Sequence, residues 1–107
     1  MRAIEIRTID HKHQRGQREG DWHQPYGMPM KIMVSAMPHP DYEVIIAVRT
    51  LVEMYMCTKM GIADPLDNQV PPNIEERAAE IANILGSLLG ISWTDFDMAK
   101  EALCKKT

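Results

Sequence analysis

The sequence is short of most features that would announce a function. It has two cysteines, one phenylalanine and two tryptophans in 107 residues. No apolar run approaches the roughly 18 residues of a membrane helix. The opening stretch MRAIEIRTID alternates charge and lacks the apolar core of a signal peptide. There is no P-loop, no GxGxxG and no GxSxG. Cys57 and Cys104 have no CxxC spacing and no histidine in their own helical patterns. They read as small apolar residues of a reducing compartment, neither a disulfide scaffold nor nucleophiles, and the expected location is the cytoplasm. Strong charge of one sign is missing too: the formal net charge is −3, which disfavours a basic nucleic-acid binder.

What is present is methionine, nine residues against two Trp, three Tyr and one Phe. That balance points to an adaptable apolar interior or a pliable binding surface. The length accommodates one domain with one core. Charge is uneven: residues 1–31 carry six basic and four acidic side chains, residues 41–107 six basic and eleven acidic.

Periodicity gives the elements. Residues 2–9 alternate, with Ile4, Ile6 and Thr8 on one side and Glu5 and Arg7 on the other, which predicts a half-buried strand. Its polar face argues against a central parallel strand. Residues 10–28 form a long polar connection, unusual in a small domain unless it is functional or hides a strand, for which Asp21–Gln24 is the best candidate. MKIMVSA at 30–36 is a strand. His39 or Asp41 opens a helix running to about Met60. Asn73-Ile74-Glu75-Glu76 resembles a capping box, and Ile74, Ala78, Ile81, Ile84, Leu85, Leu88 and Leu89 then trace one apolar stripe ending at Gly90. Ser92-Trp93-Thr94-Asp95 opens a last helix with Trp93, Phe96, Ala99 and Leu103 on one face. The expected fold is α+β: a small antiparallel sheet of two or three strands, then three helices packed on one face. The chain is read as one domain, 1–107, with a strand region (1–37), a central helix (38–61) and two C-terminal helices (73–106).

The central helix is apolar almost all round, so most of its surface should be buried. Arg49 and Glu53 nevertheless share a face at i,i+4, with Thr50 beside them. Read alone, this is an ion pair at an exposed edge or the remnant of a site.

At this point the chain resembles a family of small bacterial and phage proteins. The resemblance rests on the strand Ile4-Glu5-Ile6-Arg7-Thr8-Ile9, on Gly20-Asp21-Trp22, and on Tyr42-Glu43 with Ala47-Val48. Cys57 near Gly61-Ile62 and the closing Leu89-Gly90-Ile91-Ser92-Trp93 extend it to about two thirds of the chain. In that family the segment after Ala47-Val48 typically reads His-Glu-Leu-x-Glu, a zincin-like helix. Its first His and last acid would bind zinc, and the Glu between them would act as general base. Here the segment is Arg49-Thr50-Leu51-Val52-Glu53. An arginine cannot ligate a metal and a threonine has no carboxylate. The resemblance thus implies the fold and a pseudo-site in which Arg49 takes the metal's place and pairs with Glu53.

The leading expectation is a non-catalytic protein, phage or prophage derived, that binds or inhibits another protein. Met28, Met30, Met33, Arg15, Arg18 and Trp22 would supply the partner surface. The alternative is a zinc-dependent hydrolase that recruits Glu53 with His11, His13, His23 or His39. Glu53 with Asp64 or Asp67 is a further candidate acid pair. A third reading is a regulator contacting nucleic acid through the Arg15–Arg18 loop and Trp22. No resident cofactor is expected, and exposed strand edges leave homodimerisation open.

Overall fold

The connection between the first strand and the second crosses the sheet, and this sets the architecture. In the computed structural model, which describes residues 3–24, 29–66 and 69–105, the strands are β1 (Ile4–Ile9), β2 (Gly20–His23) and β3 (Met30–Ser35). Three helices follow: α1 (Pro40–Lys59), α2 (Pro72–Leu89) and α3 (Trp93–Lys105). The expected α+β fold, strands first and helices after, is present. The sheet, however, is mixed. Its order is β1-β3-β2, with β2 antiparallel to β3 and β1 parallel to β3, Ile4 opposite Met30 and Ile6 opposite Ile32. The expected all-antiparallel sheet is therefore corrected: β3 inserts between β1 and β2, so β1 and β3, which run the same way with β2 reversed between them in the chain, become parallel neighbours. The long connection is accounted for by β2 and two 3-10 turns, His11–His13 and Arg15–Gln17.

Helix α1 begins as its sequence suggests. His39 is the N-cap, its Nδ1 accepting from the Asp41 N–H at 3.2 Å, and Pro40 follows in the first turn. Glu43 ties this end to the sheet, accepting from the Met37 N–H at 2.9 Å. The start of α2 differs from expectation. Pro71 is the N-cap with no side-chain capping bond, so the Asn73 capping box does not form; the helix starts at Pro72, one residue before the Asn. At α3, Ser92 Oγ accepts from the Asp95 N–H at 3.3 Å, as its sequence implies.

Helix α1 lies over β2 and β3, and α2 packs on α1. The core between them holds Trp22, Ile32 and Val34 from the sheet, Ile45, Ile46, Met54 and Cys57 from α1, and Ile74 and Ala82 from α2. Phe96 fixes α3, edge-on to both Tyr42 and Trp93. Because α1 covers only β2 and β3, Ile4 and Ile6 are exposed, and β1 is not the half-buried strand that its alternation suggests. The two long helices are also less enclosed than expected. Val44, Leu51 and Tyr55 of α1 and Ile84 and Leu88 of α2 lie open. Among the described residues, no helix is long and apolar enough to cross a membrane.

Candidate functional site

Glu53 sits one turn after Arg49 on α1, on the side that faces β2, and is 2 % exposed. The arginine that meets it is not Arg49. Arg18, from the segment leading into β2, places Nη2 2.7 Å from both Glu53 oxygens. The Trp22 indole N–H donates to Glu53 Oε2, also at 2.7 Å. Trp22 is wholly buried, so its polar edge needs this acceptor. The carboxylate in turn is held by a charge-assisted pair and a buried donor. The expected Arg49–Glu53 pairing is therefore corrected: a residue 35 positions earlier in the chain takes that place. Arg49 has no ion-pair partner among the described residues and lines a small cleft of about 30 Å³ with Arg18, Glu19, Gly20, Ile46, Thr50 and Glu53.

Thr50 turns inward as well. Its hydroxyl donates to the Ile46 carbonyl at 2.7 Å, one turn back on the same helix. It sits against Gly20, where a Cβ would fall within contact distance of Thr50 Oγ1 and 2.9 Å from Ile46 Cγ2. Glycine is what lets β2 run this close to α1. Arg49, Thr50 and Glu53 are thus brought together, in a packed junction between helix and strand.

A second ion-pair hub lies close by. Arg15 binds Asp21 through Nε at 2.7 Å and Asp64 through Nη1 at 2.8 Å, and its Nη2 also donates to the Trp22 carbonyl at 3.3 Å. Hydrogen bonds to Asp64 and then Asp21 raise the guanidinium's pKa further, and the same bond from Arg15 lowers that of Asp64. Asp21 is fully buried. Across β3, His11 Nδ1 meets Ser35 Oγ at 2.8 Å, and Gln14 Nε2 donates to the Met33 carbonyl at 3.0 Å. The segment from His11 to Arg18 is thus a strap, fastened to the sheet by polar side chains.

This placement changes the expected partner surface. Trp22 is buried and Arg15 and Arg18 are committed to internal carboxylates, so these three do not form an open surface, nor a loop presented to nucleic acid. Met28 lies outside the described residues. Met30 packs partly against the core. Met33 remains at the surface, in an open groove of about 280 Å³ with Glu5, Arg7, Ile9, His23 and Lys31.

The histidines do not converge on Glu53. His11 is buried within the strap against Ser35, His13 is exposed, His23 lines the sheet groove and His39 caps α1. Among the described residues no three His, Cys, Asp or Glu side chains are grouped to hold a metal ion. With Glu53 bound to a guanidinium, the donor set does not fit zinc. Of the candidate acid partners of Glu53, Asp64 is bound to Arg15 instead, and Asp67 lies outside the described residues.

The sequence alone suggests a different role for Arg18, as part of a partner surface, and does not single out Asp21 and Gln14 as site residues. A signal for them did exist: a polar connection with two arginines, next to a strand carrying an acid and a tryptophan. Comparison with protein-family models, with curated proteins and with solved structures finds no match.

Proposed function

We propose that this is a non-catalytic protein that acts by binding another protein. Glu53 carries the reading. It is the sole acid of the Arg49–Glu53 segment, and its oxygens are occupied by Arg18 and Trp22, leaving it neither base nor ligand. On the resemblance to the small bacterial and phage family, the zincin-like helix is kept for its shape, and the protein is phage or prophage derived and works in the cytoplasm. The partner surface is the outer side of the sheet. There Met33 and Ile9 offer apolar contact, and the groove is rimmed by Arg7 and Lys31 with Glu5 and His23. The β1 edge beside it is open for strand addition.

The test is retention of a partner from bacterial lysate on the tagged protein, with metal content measured on the same sample. Met33→Glu with Lys31→Glu should release the partner while leaving the fold intact by circular dichroism. A partner kept by that double variant would reject the sheet face as the surface. Stoichiometric zinc in the purified protein would reject the non-catalytic reading.

A further inference from the structure

Helices α1 and α2 form an antiparallel hairpin, with Gly86 of α2 against Ile45 near the start of α1 and Ile81 beside Leu51 and Tyr55 further along. The side of α1 turned from the sheet carries Val44, Val48, Leu51, Val52 and Tyr55, spaced as a helical stripe. The adjoining flank of α2 carries Ile81, Ile84 and Leu88 at the same kind of spacing. Tyr55 is 57 % exposed, Ile84 62 % and Leu88 80 %. These exposed apolar side chains lie side by side on the two packed helices, the kind of patch that marks an interaction site on an otherwise polar surface.

The face has an internal symmetry. Its one end is a groove of about 570 Å³ walled by Leu51, Val52, Tyr55, Met56, Ile81 and the stem of Arg77. Its other end is a ridge made by Ile84 and Leu88. A surface carrying both a hole and the knobs that fit it, at opposite ends, is what a two-fold contact requires, because each copy then fills the other. Charge follows the same pattern. Asp41 stands in the first turn of α1 and Lys59 in the last, equally far from Thr50 at its middle. Packed antiparallel about that point, each Lys59 meets the Asp41 of the other copy, and the helix dipoles oppose.

We infer that the chain forms a two-fold dimer through the outer face of α1 and α2, with the occupant of each groove the Ile84–Leu88 ridge of a second copy. This face lies opposite the sheet groove, so both sheet faces stay outward in the dimer.

Sedimentation equilibrium on the full chain across the micromolar range tests this. The expected result is a mass tending to twice 12.2 kDa, with Leu88→Glu raising the dissociation constant by at least about tenfold at an unchanged far-ultraviolet circular dichroism spectrum. Lys59→Glu should weaken the dimer, and adding Asp41→Lys to it should restore the association. A wild-type chain that stays monomeric overturns the inference. So does a dimer indifferent to Leu88→Glu, which would point to the β1 edge, or a charge reversal that the second substitution does not rescue. The result is separable from partner binding: Leu88→Glu should leave the Met33-dependent capture in place as a monomer, and loss of capture alone would leave the dimer standing.

Discussion

At the scale of single residues, the decisive event is the exchange of partners at Glu53. A buried carboxylate needs compensation, and here a guanidinium and an indole N–H give it. Glu53→Ala would leave Trp22 without an acceptor and Arg18 without a counter-charge. Arg18 is a quarter exposed, so the loss is smaller than for a fully enclosed pair, about 2–4 kcal/mol in chemical denaturation. Trp22→Phe removes the indole donor and leaves a small cavity where the second ring stood, but it keeps the Arg18–Glu53 pair. It should cost less, about 1–2 kcal/mol by the same measurement. A fully buried thiol is a second local test. Burial first, and then the charge of Glu53, push the Cys57 thiol up. Cys104 is exposed. A thiol reagent at neutral pH should therefore label Cys104 in the folded chain and reach Cys57 only on unfolding; rapid labelling of both would contradict the burial. Glu53 stood out in the sequence as an acid in an apolar helix. Its partner did not, since i,i+4 spacing favoured Arg49, and only the strap's path brings Arg18 there.

At the scale of elements, the strap from His11 to Arg18 is held through two arginine hubs, and one of them reaches beyond α1 to Asp64. Because Arg15 holds the Asp64 carboxyl below its usual range, this ion pair contributes stability that is full above the unfolded-state value of about 4 and is lost as pH falls through the folded value. Acid unfolding followed by tryptophan fluorescence should steepen below about pH 4, and Asp64→Asn should flatten that limb. An unchanged limb would place the acid sensitivity elsewhere. A different constraint acts on α2. Gly86 lies inside the helix, where alanine is normally the better former. Here a Cβ would come 2.6 Å from Trp93 Cζ2. Gly86→Ala should consequently lower the melting temperature instead of raising it, through displacement of the Trp93–Phe96 pair. Helix and strand positions were legible from periodicity because one face of each is buried. The start of α2 was not, since a proline and an asparagine compete for the same corner and the proline wins.

At the scale of the whole molecule, the sequence pattern was right about layers and wrong about enclosure. A single sheet of three strands covered by one helix is too small to bury every apolar stripe that α1 and α2 carry. Val44, Tyr55, Ile84 and Leu88 are therefore exposed although their spacing is that of core residues. Nor does alternation reveal strand direction: β1 has an ordinary two-residue period, and only the hidden β2 makes it parallel to β3. That pairing bears on the order of folding. β2 and β3 are neighbours along the chain and zip up over a short connection, whereas β1 must wait for β3 to exist before Ile4 can find Met30. Helix α1 gives β1 little cover once it is docked, so it opens at lower free energy than the rest of the sheet. Its amides should be the first of the sheet to exchange with deuterated solvent, well before those of β2 and β3.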